Sequence, residues 1–139
     1  MTFKAVPLVG RVLLAAIFIV SGFGKLFAAE AVQGTIASAG LPFPQLAFLV
    51  AVTLEIGGGL LLAVGYQTRV AAIALAVFSI ATALIFHNVA GDQNHFVHLL
   101  KNLAIAGGLL QVAAFGAGTL SLDALRLPAA LRLKEIKLS

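Results

Sequence analysis

The stretch from Phe43 to Gly65 limits what this chain can become, because its 23 residues carry a single charge, Glu55. As a helix, a run of that length rises about 34 Å, enough to cross the roughly 30 Å hydrocarbon core of a bilayer. Hydrocarbon offers backbone amides no water to bond to, so such a run spans as a helix. A carboxylate halfway along it is costly, which means that Glu55 needs a partner or a task.

Three more runs have the same character. The spans are expected at about residues 6–27, 43–65, 69–88 and 96–116, followed by a tail over 119–139. With 10% charged residues against the ~25% of soluble domains, and a mean hydropathy of +1.10, the chain reads as integral to a membrane. The fold expected is an all-α, four-helix membrane bundle. The first run is too long for a secretory leader and lacks a small-residue cleavage site, so it is taken as a span. The tail interleaves Leu125, Leu127, Leu131, Leu133 and Ile136 with Arg126, Arg132, Lys134 and Lys137, the pattern of a short amphipathic helix on an anionic leaflet.

Lys4, Arg11, Arg69 and the four basic residues of the tail fall on one side of the bundle, whereas the loops on the other side carry only Glu30 and Asp92. The positive-inside rule then places both termini in the cytoplasm. It also accounts for the pI near 10.0, and no nucleic-acid-binding motif is present.

The polar residues inside the spans are the candidates for function. Arg11, Ala15, Phe18, Gly22 and Lys25 recur at spacings of four and three and form one helical stripe facing the interior. Gly57-Gly58-Gly59 beside Glu55 suits close helix packing better than an unwound segment. Lys101, Gly108 and Gln111 share a stripe of the last span, flanked by His98 and Asn102. Three cations, Arg11, Lys25 and Lys101, face one anion. Glu55 lies about 11 residues, or roughly 16 Å, below the outer end of its helix. Lys101 is the deeper outer lysine and is the expected partner, with Arg11 the alternative from below. The surplus positive charge admits two readings. The cations snorkel to headgroups, or Lys25, Lys101, His87 and His98 ring a polar cavity for an anion or a quinone-like molecule, with Ser21, Asn102 and Gln111 as donors.

Absences narrow the chemistry. There is no cysteine, hence no thiol catalysis, disulfide or thiolate-bound cluster. His87, His95 and His98 lie near one hairpin loop with no recognised ligand motif, so neither metal nor haem is expected. The glycine triplet lacks the lysine and hydroxyl residue of a nucleotide loop. No catalytic residue is assigned.

Several segments together resemble the DoxX family of small four-span membrane proteins. They are Arg11 with the run to Ser21-Gly22-Phe23-Gly24-Lys25, Leu54-Glu55-Ile56-Gly57-Gly58-Gly59, Gly65-Tyr66-Gln67-Thr68-Arg69, Phe86-His87, Lys101-Asn102-Leu103 with Gly107-Gly108, and Ser121-Leu122-Asp123. The resemblance runs over about residues 6–125. It implies a bacterial-type inner-membrane location and places Lys25, Glu55, His87, Lys101 and Asn102 at the family's polar positions. It also implies similarity to a subunit of a thiosulfate:quinone oxidoreductase and to members of oxidative-stress complexes. The function expected is an accessory subunit binding a small anion or a quinone through Lys25, Glu55, His87, His98, Lys101 and Asn102, with a redox partner protein or a second copy beside it in the lipid bilayer. The alternatives are a small transporter coupling through Glu55 and a lysine, and a scaffold whose charges set helix register.

Overall fold

The computed structural model describes residues 3–87, 91–128 and 131. Among these there are helices and no strands. Helix α1 covers Ala5–Phe27, α2 Ala29–Ser38, α3 Pro44–Thr53, α4 Gly59–Val64, α5 Thr68–Phe86, α6 Gln93–Phe115 and α7 Leu122–Leu125. A π-helical turn, Leu54–Gly58, joins α3 to α4 in one continuous rod. That rod, Pro44–Val64, together with α1, α5 and α6, makes four helices long and apolar enough to cross a membrane. Asn88, Val89 and the tail residues Arg132, Leu133, Lys134, Ile136 and Lys137, part of the expected amphipathic helix, lie outside the described residues.

Local chemistry explains the boundaries. Pro44 opens α3 at a position whose N–H would have no partner in any case. Gly65 closes α4 in the left-handed region, φ 72°, and the N–H groups of Gly65 and Tyr66 both donate to Leu61 O. The carboxylate of Asp92 caps α6 by accepting from the N–H groups of Asn94 and His95. Gly116 and Gly118, at φ 85° and 78°, turn the chain out of α6.

The stripe expected on α1 is the one that is buried: Arg11, Ala15, Phe18 and Gly22. Small residues let the helices approach. A Cβ on Gly59 would lie 2.8 Å from Ile19 Cγ1 and 3.3 Å from Ala15 O, and one on Gly58 would lie 3.1 Å from Leu75. Ala72, Ala76 and Ala83 play the same part along α5. The main core gathers Ala15, Phe18, Leu62, Leu75 and Leu109, and a second cluster of Ile36, Phe48 and Val52 sits under α2. Leu13, Val20, Val70 and Val77 face outward on the spans, as lipid-facing positions should. α6 packs mainly on α5 and is the least covered span.

Candidate functional site: a lysine–glutamate pair on a π turn

Glu55 stands in the widened turn, at the level where α1 comes closest. A Cβ on Gly22 would lie 2.6 Å from Ile56 Cγ1 and 3.2 Å from Glu55 Cβ, so only glycine permits this approach. One turn further along α1, Lys25 reaches back to the carboxylate. Its Nζ donates to Glu55 Oε1 at 2.8 Å and lies 2.8 Å from Oε2. Ser21 Oγ accepts from the same Nζ at 2.8 Å and donates to Glu55 Oε1 at 3.1 Å. The Glu55 side chain is 5% exposed and that of Lys25 26%.

The expected Lys101–Glu55 pair does not form. Lys101 is exposed on α6, a helix that packs on α5, while the π turn packs against α1 and α5. The outer ends of the helices are not level, although residue counts along each helix assume that they are. Gly22 lies beside Glu55 and Ile56, and Ile19 beside Gly59, so α1 is offset and Lys25 comes level with the acid. Arg11 is not the partner either. It is 1% exposed and donates from Nη2 to Leu120 O at 2.7 Å, at the opposite end of the bundle.

Of the remaining candidates, His87, His98 and Lys101 form a second group at the Lys25 end. The His87 and His98 rings stack at 5.1 Å between centroids, and His95 lies 5.8 Å from His87. Burial lowers the pKa of His87, and His98, His95 and Lys101 lower it further by their positive charge. His95 Nε2 approaches Asp92 Oδ2 at 3.9 Å. Asn102 is half-buried, while Gln111 is exposed. Among the described residues no three histidine or carboxylate groups are arranged to hold a metal.

These histidines predict a pH response. A base whose folded pKa lies below its ordinary 6.5 contributes stability above pH 6.5 that is lost as pH falls through the folded value. Acidification from pH 7.5 to 5.5 should therefore lower the melting temperature, and His87→Asn should flatten that dependence; identical pH profiles for the two proteins would rule the cluster out as its source.

A third constellation was not foreseen as a contact. Asp123 accepts from the N–H groups of Gln67 and Thr68 at 2.9 Å each, and its own N–H donates to Gly65 O at 2.8 Å. Burial raises its pKa, but the adjacent Thr68 hydroxyl, these backbone donors and Arg126 outweigh that and hold it below the ordinary carboxylate value. Arg126 stacks on Tyr66, 4.8 Å from the ring centroid. Ser121 starts α7 by accepting from the Ala124 N–H. The signal was the separate occurrence of Gly65-Tyr66-Gln67-Thr68-Arg69 and Ser121-Leu122-Asp123, with nothing in the sequence to join them.

Comparison with known proteins yields one family and close relatives. The DoxX family model matches residues 6–88, the segment holding Ser21, Lys25, Glu55 and His87, whereas His98, Lys101 and Asn102 lie beyond it. Inner membrane protein YphA of Escherichia coli K12 is 34% identical over 121 residues, covering 84% of this chain and 86% of that protein. Inner membrane protein YqjF of the same organism is 36% identical over 118 residues, covering 85% and 89%. No solved structure matches the chain.

Proposed function

This chain belongs to the DoxX family of integral inner-membrane proteins, and from that premise we propose that it is an accessory subunit binding a quinone-like molecule at Lys25, beside a redox partner protein. The observation that carries the reading is the Ser21–Lys25–Glu55 cluster itself. One ammonium proton goes to Ser21 and one to Glu55, and the Lys25 side chain is a quarter exposed, which leaves a third proton for a ligand. Because Glu55 already balances the lysine charge, the cluster suits a neutral carbonyl oxygen better than a free anion. The π turn supports the reading, since such turns recur at functional sites. The histidine group with Lys101 and Asn102, at the same end, would face the polar part of such a ligand.

The test is thermal melting of the purified protein with short-tailed quinones, and with thiosulfate as the anionic comparison. Quinone should raise the melting temperature of the wild type and leave a Lys25→Met/Glu55→Gln double variant unmoved. No shift with any quinone, or an equal shift in the double variant, overturns the proposal.

One observation favours a second reading. Glu55 is almost fully buried and paired with a partly exposed lysine, an acid–base pair inside a span of the kind that couples protons to transport. Substrate flux in proteoliposomes, lost in Glu55→Gln, would select that reading over the first.

A further inference from the structure

At the end opposite Lys25, the start of α1, the start of α5, the end of α6 and α7 enclose a cleft of about 570 Å³. Two cations line it, Lys4 and Arg69, and neither makes an ion pair among the described residues. The Arg69 guanidinium lies over Gly116, where a Cβ would sit 3.5 Å from Nη2, so the absence of a side chain there leaves its face open. Gly118, at φ 78°, passes so near α1 that a Cβ would lie 2.8 Å from Pro7 Cβ, which fixes the opposite wall.

Further donors belong to residues that line the same cleft. Thr119 lines the cleft, and its Oγ1 is buried without a partner. The amides of Arg69 and Val70, in the first turn of α5, have no intrahelical acceptor by helix geometry, and both residues line the cleft. Asp123 also lines it, but both its oxygens are turned onto the Gln67 and Thr68 N–H groups. Its charge is further offset by Arg126 and by the buried Arg11. The rim is apolar, with Phe3 69%, Val70 64% and Phe115 81% exposed.

We propose that this cleft binds a phosphate ester, with Lys4, Arg69 and the Thr119 hydroxyl on the phosphate oxygens and the apolar rim along the chains of its ester. The chemistry calls for paired cations, free amides and a hydroxyl around a compact anion. An anionic phospholipid headgroup and a soluble phosphate ester share that chemistry. The exposed Phe3, Val70 and Phe115 favour the lipid, whose chains would cover them. The site is independent of the Lys25 cluster, which lies at the other end of the bundle.

Native mass spectrometry of the full chain in neutral detergent tests this with phosphatidylglycerol, diacylglycerol and glycerol 3-phosphate as probes. Phosphatidylglycerol should bind about tenfold more tightly than diacylglycerol, which lacks the phosphate, the difference expected for one charge-assisted contact. Arg69→Gln should weaken it about tenfold, and Arg69→Lys less. Lys4→Gln removes a side chain with no tertiary hydrogen bond, so it keeps the test valid if Arg69→Gln does not fold, and it should weaken binding several-fold. Equal binding of the two lipids, or wild-type affinity in Lys4→Gln and in any folded Arg69→Gln, overturns the proposal. Glycerol 3-phosphate binding as tightly as phosphatidylglycerol would overturn the lipid source and leave a soluble ester as the occupant.

Discussion

Lys25→Met is expected to destabilise the bundle by about 3 kcal/mol or more, because it leaves a buried carboxylate without its counter-charge. Glu55 is surrounded by α1 and its own π turn, and after the lysine is lost only the Ser21 hydroxyl remains bonded to it. Glu55→Gln should cost less. Lys25 has a quarter of its side chain exposed, stands two residues from the end of α1, and can swing its ammonium toward the headgroups. The double variant Lys25→Met/Glu55→Gln should be closer to wild type than Lys25→Met alone, since no unpaired charge is left inside. The measurement is a denaturation series in detergent micelles on all four proteins. Additive losses in the double variant would mean that Lys25 and Glu55 are not coupled.

Gly65→Ala is expected to cost about 2–4 kcal/mol, from two sources. The residue sits at φ 72°, where an L side chain costs about 1 kcal/mol. The added methyl would also press on Arg11 Nη1, lie 2.5 Å from Ser121 Cβ and 2.9 Å from Arg11 Cζ, and overpacking of that kind costs about 1–3 kcal/mol. The guanidinium has nowhere to retreat, being 1% exposed and bonded to Leu120 O. The clasp between Asp123 and the Gln67–Thr68 backbone should loosen with it, and proteolysis after Gly118 should speed up. Gly107→Ala is the control, since α6 leaves open space there and a helical φ. If both variants melt like wild type, Arg11 is not the wedge that holds this end together.

Both predictions concern charges that were visible in the sequence, yet neither contact was. The sequence determined by itself that four helices cross a membrane, because run length and the scarcity of charge decide that locally. It also determined the buried stripe of α1, since a helix repeats every 3.6 residues whatever lies beside it. It marked Glu55 as needing a partner. The choice of Lys25 over Lys101 rests on the offset of α1 against the α3–α4 rod, and that offset is set by the close approach at Gly22 and Gly59. No residue count along separate helices contains that shift. The π turn at Leu54–Gly58 was half legible: the glycine triplet raised a local unwinding beside Glu55, but packing of small residues was the stronger expectation. Asp123 meeting the α4–α5 turn joins residues 55 and 56 positions apart. Local rules act over four residues or so, and partners that far apart meet only when the whole bundle closes.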